Sequence, residues 1–353
     1  MSRLRATARI ALSDPAAVVA PVCDHLVGHG ATVTHEGEST TILLGTGRAR
    51  LAVGPGQVLA EVGAPDLSAL QEIRLAIASH IVEFAGAETP SIRWEGDGNE
   101  PAFPPDFREI TVVSTEDVTP HMRRIRFRGE RLERYDRLDA LHVRLFLPWP
   151  GRAAPVWPVL GEDGLIRHAP EPQRPAVRKY TIREIDPATG TLAVDFVLHD
   201  DAGPGSAFAA RARPGDRIGM AGPGGRGLIQ TQHYIFLADE TGIPAIARIL
   251  ENLSRDAAGT AIIEVETADE EQELPAPPGV TVRWLHRCAK GGDVLGLQAA
   301  FRTIDLPKDR RTYCWVAAEH EVSRDIRAAA RDALDPEKDR HLIVGYWRRG
   351  ASS

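Results

Sequence analysis

The chain has little cysteine: three residues, Cys23, Cys288 and Cys314, far apart and odd in number. That excludes a disulfide framework and a Cys-x-x-Cys metal site, and buried free thiols are the expectation. No run of about eighteen apolar residues occurs, so no membrane-spanning helix and no membrane insertion are expected. The start, Met1-Ser2-Arg3-Leu4-Arg5, lacks the apolar stretch and cleavage site of a signal peptide, and a cytoplasmic location is the expectation. Excess positive charge is also missing. With 42 Lys and Arg against 49 Asp and Glu, the formal net charge is -7, which speaks against nucleic acid as a partner because phosphate binding demands clustered cations.

What remains is the composition of a globular protein, 43% hydrophobic and 26% charged, which excludes wholesale disorder. At roughly 100 to 200 residues per domain, 353 residues suggest two or three domains. Residues 1–97 read as a small α+β unit. Ser13-Asp14-Pro15 starts a helix that carries Val18, Val19, Val22 and Leu26 on one face and stops at Gly28 and Gly30. Short β-rich runs at 40–44, 49–53 and 57–62 suggest a meander. From Asp66 a second helix sets Leu67, Leu70, Ile73, Ile77, Ile81 and Phe84 on an apolar stripe. The turn-rich run from Gly96 to Pro105 is the best domain boundary.

Six strands at 108–114, 123–128, 142–147, 178–184, 192–198 and 217–221 suggest an antiparallel barrel over 107–228. The Pro- and Gly-rich segment 151–175 reads as a surface loop near a ligand or a mobile one. From 229 to 353 the rhythm changes to continuous apolar strands, Tyr234 to Ala238 first, alternating with helices. That pattern indicates a parallel α/β sheet covered on both faces.

The chemistry concentrates in Arg178-Lys179-Tyr180-Thr181-Ile182-Arg183. A fixed guanidinium at Arg178 can grip a phosphate through two hydrogen bonds, Tyr180 offers a flat ring, and Thr181 a small donor on the other strand face. These are the needs of a flavin nucleotide. Downstream, Phe196, Val197 and His199 lead to Gly203-Pro204-Gly205-Ser206, where Ser206 reads as an N-cap whose helix presents free N–H groups to a pyrophosphate. Gly203 and Gly205 allow close approach. The glycine run at 222–227 precedes a strand and so reads as a turn leaving the barrel. The better nucleotide candidate is Asp239-Glu240-Thr241-Gly242-Ile243-Pro244-Ala245, where the first parallel strand enters its helix. Asp239 and Glu240 would repel phosphate there unless screened or turned away. His25, His29, His80, His121, His142, His199 and His286 show no paired spacing typical of a metal site, and no metal is assigned.

In order along 107–350, these motifs resemble the siderophore-interacting protein family, FAD-containing ferric-siderophore reductases related to ferredoxin-NADP reductases. The series also includes Thr119-Pro120-His121-Met122, His142 to Pro148, Pro214-Gly215-Asp216, Ala318-Glu319 and Gly345-Tyr346-Trp347-Arg348-Arg349-Gly350. The family usually has Lys where this chain has Arg144, and Arg-Trp where it has Ala207-Phe208. Residues 1–97 are similar to a small domain found alone or fused to such reductases. The resemblance implies an α+β multidomain fold: a small α+β domain, a six-stranded antiparallel FAD-binding barrel and a parallel nucleotide domain.

It implies electrons passing from NADPH or NADH through FAD to a ferric siderophore. Arg178, Tyr180, Thr181, Phe196, Val197, His199, Gly203, Gly205, Ser206, Thr241, Gly242, Pro244 and Glu319 would serve the cofactors. Arg144, Arg348 and Arg349 would face an anionic iron complex. Glu264, Glu266 and Asp269 could meet a ribose hydroxyl, whereas Arg283 or Arg287 could hold a 2′-phosphate. The alternatives are a flavoprotein with another acceptor, such as ferredoxin or a quinone, and a siderophore carrier without redox turnover.

Overall fold

The computed structural model of the chain describes residues 4–149, 155–199, 203–288, 296–304, 306, 312–331 and 340–350. They form two compact units, one of residues 1–107 with 156–174, the other of 108–155 with 175–353.

The first unit is built on a six-stranded antiparallel sheet. Its strands are β1 (Leu4–Ala11), β2 (Thr32–Glu36), β3 (Ser39–Leu44), β4 (Gly47–Gly54), β5 (Gln57–Ala64) and β6 (Trp94–Gly96), in the order β2-β3-β4-β5-β1-β6. Helices α1 (Pro15–Gly28) and α2 (Leu67–Phe84) join it. Both begin on an aspartate: Asp14 accepts from Ala17 N and Asp66 from Ala69 N, each satisfying an amide with no partner within the helix. Val18, Val22 and Leu26 of α1 and Leu70, Ile73, Ile77 and Ile81 of α2 are buried in one core with Leu51, Val58 and Trp94. The connector after β6 is tied down by Arg74 of α2, almost fully buried, which donates to Asp97 O, Gly98 O and Asn99 Oδ1.

The second unit holds a closed barrel and a parallel sheet. The barrel strands are β7 (Phe107–Thr119), β8 (Met122–Arg128) and β9 (His142–Leu147), and, after the short hairpin β10 (Val159–Leu160) and β11 (Ile166–Arg167), β12 (Ala176–Asp186), β13 (Thr191–Val197) and β14 (Arg217–Gly224). Around the barrel the order is β12-β13-β8-β7-β14-β9. The hairpin belongs to the first unit. Trp94 Nε1 donates to Asp163 O, Leu160 N to Ala102 O, and Leu165 packs on the first core. The segment expected to be a loop near a ligand is therefore, over 156–174, a piece of the first unit, because its apolar residues and backbone groups find partners there.

Strand β12 changes neighbour midway. It pairs with β9 from Ala176 to Thr181 and with β13 from Ile182 onward, and a shift between Ile182 and Glu184 leaves Arg183 as the extra residue of a bulge. Helix α3 (Pro204–Arg211) follows β13.

The parallel sheet comprises β15 (His233–Asp239), β16 (Ala258–Val265), β17 (Gly279–His286), β18 (Thr312–Glu319) and β19 (His341–Trp347), ordered β17-β16-β15-β18-β19. Helices α4 (Ile243–Glu251), α5 (Leu297–Arg302) and α6 (His320–Ala330) connect its strands. Successive residues of β15 point to opposite faces: Tyr234, Phe236 and Ala238 enter one core, Ile235 and Leu237 the other, which is why the strand reads as a continuous apolar run. The bulge explains how barrel and sheet are joined. It turns Arg183 toward α4, where its guanidinium takes both oxygens of Glu251 at 2.9 and 2.5 Å. Buried Arg248 of α4 returns the contact, donating to Ile182 O at 3.2 Å. Cys23 and Cys314 are buried thiols as expected, but Cys288 is exposed, being just past the end of the edge strand β17.

Candidate functional site

The signature strand splits by face. Arg178 and Tyr180 share the side next to α3, and Thr181 points the opposite way. The Tyr180 ring packs on buried Phe196 at 4.4 Å between centroids, and burial pushes its hydroxyl well above the ordinary phenol value, so it is neutral. Gly205, in the first turn of α3, lies directly against that hydroxyl: a Cβ there would come within 1.8 Å of Tyr180 Oη. Ser206 is not the N-cap. Pro204 fixes the first helical turn, Gly203 is the cap, and Ser206 is the third helical residue, its Oγ accepting from His199 N at 3.2 Å. Since Pro204 has no N–H, the free first-turn amides are those of Gly205 and Ser206.

Two polar groups near this helix start have few hydrogen-bond partners. Among the described residues the Arg178 guanidinium makes no ion pair and donates only to its neighbour Val177 O, and Tyr180 Oη makes no hydrogen bond. A cation on this strand face, a neutral hydroxyl and a helix N-terminus are the kinds of donor an anionic diphosphate would need. The cradle fits a flavin dinucleotide: only glycine at 205 leaves room for the tyrosine.

A cleft of about 430 Å³ opens alongside, lined by Met122, Val197, Leu198, His199 and Ser206 from the barrel side and by Glu240 and Ile243 from the sheet side, among others. Val197 and His199 line this cleft. Phe196 does not line it: it is fully buried in the barrel core and serves as the floor under Tyr180. Across the cleft, Glu270 accepts from Thr119 Oγ1 at 2.5 Å and pairs with His121 Nδ1 at 2.8 Å.

At the carboxyl end of β15 both feared carboxylates are accounted for. Asp239 is buried and turned inward, accepting from Thr241 N and Oγ1, Glu319 N and Trp347 Nε1 at 2.5 to 2.9 Å. Burial, and then the neighbouring Glu240 charge, push its carboxyl up to about 6. Glu240 is held bidentately by Arg287 at 2.7 and 2.9 Å. That same guanidinium reaches Glu264, whose other oxygen accepts from Leu297 N at 2.9 Å. Arg287 is thus held mainly by Glu240 and more loosely by Glu264, with about a third of its side chain exposed.

Gly242 is required by packing, since a Cβ would meet Ala238 Cβ at 2.6 Å. Pro244 occupies the first turn of α4, and the Thr241 hydroxyl is spent on Asp239. Glu319 is also structural. Burial favours its neutral form, yet the amides of Arg349, Glu321 and Val322 outweigh this and hold the carboxyl below its ordinary value as the cap of α6.

On the other face of the signature strand, Thr181 meets Tyr346 of β19, whose hydroxyl also lies 2.5 Å from His142 Nε2. Burial, then the charge of Lys179, lower His142 to about 4, so the imidazole is neutral. Arg144 lies directly opposite Lys179 in the register. Both are exposed, two like charges side by side on neighbouring strands. Arg348 and Arg349, exposed, follow Trp347. Lys179, Tyr346 and His142 were not singled out from the sequence; the alternation of β12 would have given Lys179, but Tyr346 and His142 are 204 residues apart.

Residues 111–227 match the family model described as a siderophore-interacting FAD-binding domain, and 231–350 match the siderophore-interacting protein model. Residues 7–95 match a model of an uncharacterized protein conserved in bacteria. The NADPH-dependent ferric-chelate reductase of Escherichia coli K12 is 32% identical over 249 residues, covering 68% of this chain and 92% of that protein. The ferric vibriobactin reductase of Vibrio cholerae is 27% identical over 247 residues, covering 69% and 90%. Among solved structures, a siderophore utilization protein from T. fusca superposes with a TM-score of 0.61 at 37% identity over 69% of this chain and 94% of that one. With the diphosphate cradle, the barrel and the parallel sheet all inside the matched span, the chain belongs to the siderophore-interacting protein family and carries that family's FAD-binding domain at residues 111–227.

Proposed function

We propose that the protein is an FAD-dependent ferric-siderophore reductase that takes electrons from NADPH or NADH and releases Fe(II) from a siderophore-bound Fe(III). The observation that supports this reading is the weakly partnered Arg178 on the same strand face as Tyr180, whose hydroxyl rests on Gly205 in the first turn of α3. Arg178 and the amides of Gly205 and Ser206 hold the diphosphate, and Tyr180, Val197 and His199 border the rest of the dinucleotide. When bound, FAD supplies a centre that accepts a hydride, two electrons at once, and passes them on singly to two Fe(III) ions.

The chain's own part is binding and electrostatics. The turn at 240–242, with Glu240 neutralised by Arg287, takes the nicotinamide nucleotide, and exposed Arg283 is the cation left for a 2′-phosphate. Arg144, Lys179, Arg348 and Arg349 attract an anionic iron complex. Iron then leaves because Fe(II), less charged and softer, is poorly held by hard oxygen ligands. Ferric siderophore and NAD(P)H are the partners, and no described helix is long and apolar enough to cross a membrane. A cytoplasmic location follows from the need for a nicotinamide donor and agrees with three unpaired cysteines.

The test uses the purified full chain loaded with FAD. Anaerobic addition of NADPH or NADH should bleach the flavin spectrum, and a panel of ferric siderophores should restore it while an Fe(II) chelator develops colour. A chain that takes up no FAD, or a reduced flavin reoxidised by ferredoxin or quinone but by no ferric siderophore, overturns the proposal.

A further inference from the structure

We propose that His25, His29 and His80 form a binding site for one divalent first-row transition-metal ion in the first unit, far in sequence from the flavin machinery and independent of it. His25 and His29 stand four residues apart, one helical turn, at the end of α1, and His80 comes from α2, which packs against α1. One ring nitrogen of each lies within 4.8 Å of the other two, and the Nε2 atoms of His25 and His29 are 2.9 Å apart. In a tetrahedral site with metal–nitrogen bonds of about 2.0 to 2.1 Å, ligand nitrogens are about 3.3 Å apart, a spacing between those two distances. Small side-chain rotations therefore suffice.

The tautomer of His80 is set for ligation. Its Nδ1 lies 2.6 Å from Ala76 O, and since a carbonyl only accepts, Nδ1 carries the hydrogen and Nε2 keeps a lone pair. A ring whose other nitrogen donates to a backbone carbonyl is the usual support of a ligating histidine. The chemistry of the set selects the ion. Three imidazoles without a carboxylate suit Zn(II), Cu(II), Ni(II) or Fe(II) and not Mg(II) or Ca(II), and His29 is exposed, which leaves the remaining coordination positions to water or an exchangeable ligand.

The experiment titrates the chelator-stripped full chain with ZnCl₂ by calorimetry and with CoCl₂ by visible absorbance. One equivalent should bind, with cobalt giving the intense bands of tetrahedral coordination. His29→Gln and His80→Gln should each weaken binding by at least roughly 100-fold, the upper end of what loss of a mere supporting group costs. His35→Gln, which alters a histidine that contacts Thr40, should change nothing. Because exposed His29 can be altered without disturbing the core, it remains decisive even if His80→Gln fails to fold. No stoichiometric binding by the native chain, or undiminished binding by His29→Gln, overturns the proposal.

Discussion

Replacing Gly205 by alanine sets two effects of opposite sign against each other. Gly205 is in the first turn of α3 with an ordinary helical φ, so by propensity alone alanine would stabilise the helix by about 0.5 to 1 kcal/mol. The new Cβ, however, would stand 1.8 Å from Tyr180 Oη and 2.9 Å from Cζ. Relieving that overlap means swinging the tyrosine off Phe196 or shifting α3, and overpacking of this kind costs about 1 to 3 kcal/mol. The clash should win. Gly205→Ala is expected to lower the melting temperature and to weaken FAD at least about tenfold, since the phenol and the α3 amides both border the diphosphate space. Tyr180→Phe removes the oxygen and leaves the 2.9 Å contact, so the double variant should be more stable than the sum of the single losses by about 1 kcal/mol. Thermal melts with and without FAD, and flavin fluorescence titrations, give both quantities. A Gly205→Ala chain that melts at or above the native temperature and binds FAD with native affinity would refute the cradle.

Asp239 gives a pH dependence. Its carboxyl titrates near 6, above the ordinary 3.8, so its neutral form is favoured in the fold, and the stability it contributes is present at low pH and lost as pH rises through about 6. The difference is of order 3 kcal/mol, and urea midpoints from pH 4 to 7 should show a component that Asp239→Asn lacks; identical slopes would rule it out. Arg183→Met should cost roughly 1 to 3 kcal/mol in denaturant unfolding, because Glu251 is left without its bidentate partner while keeping some solvent; no loss would mean that the bulge does not join barrel to sheet. Lys179→Ala should raise the KM for an anionic ferric siderophore several-fold while leaving kcat and flavin reduction by NADPH unchanged, whereas a fall in kcat alone would count against a binding role.

The sequence made the barrel and the parallel sheet legible because their signals are local. The capped helix starts at Asp14 and Asp66, the apolar run of β15 and the turns between barrel strands all declare themselves within a few residues. β1 was not seen: Leu4-Arg5-Ala6-Thr7-Ala8-Arg9-Ile10 alternates, but two of its inward positions are small alanines of low β-propensity, and its partner β5 lies far along the chain. The site divides along the same line. Arg178, Tyr180 and Gly205 were readable from chemistry and spacing, whereas the N-cap was misplaced onto Ser206 because Pro204 already fixes the helix start. The neutralisation of Glu240 depends on Arg287, 47 residues away, and no local pattern announces it. The histidines at 25, 29 and 80 were dismissed from the sequence as showing no metal-site spacing, because the third member comes from another helix and only the packing of α2 on α1 brings it to the other two.

The hairpin β10–β11 gives the first unit a chronology. Its sheet and helices are complete in the chain by residue 96, yet the carbonyl that Trp94 Nε1 needs belongs to Asp163 and lies in a stretch inserted between two barrel strands. At synthesis rates of about 5 to 20 residues per second, that partner, 69 residues on, leaves the ribosome roughly 3 to 14 s after Trp94. The nascent first unit must wait, with one edge of its core uncovered, while β7 to β9 are made. A gene fragment cut at the turn-rich connector would keep every residue of the six-stranded sheet and lack the strap that closes it, so indole fluorescence of such a fragment should report a wetter Trp94 than in the whole chain.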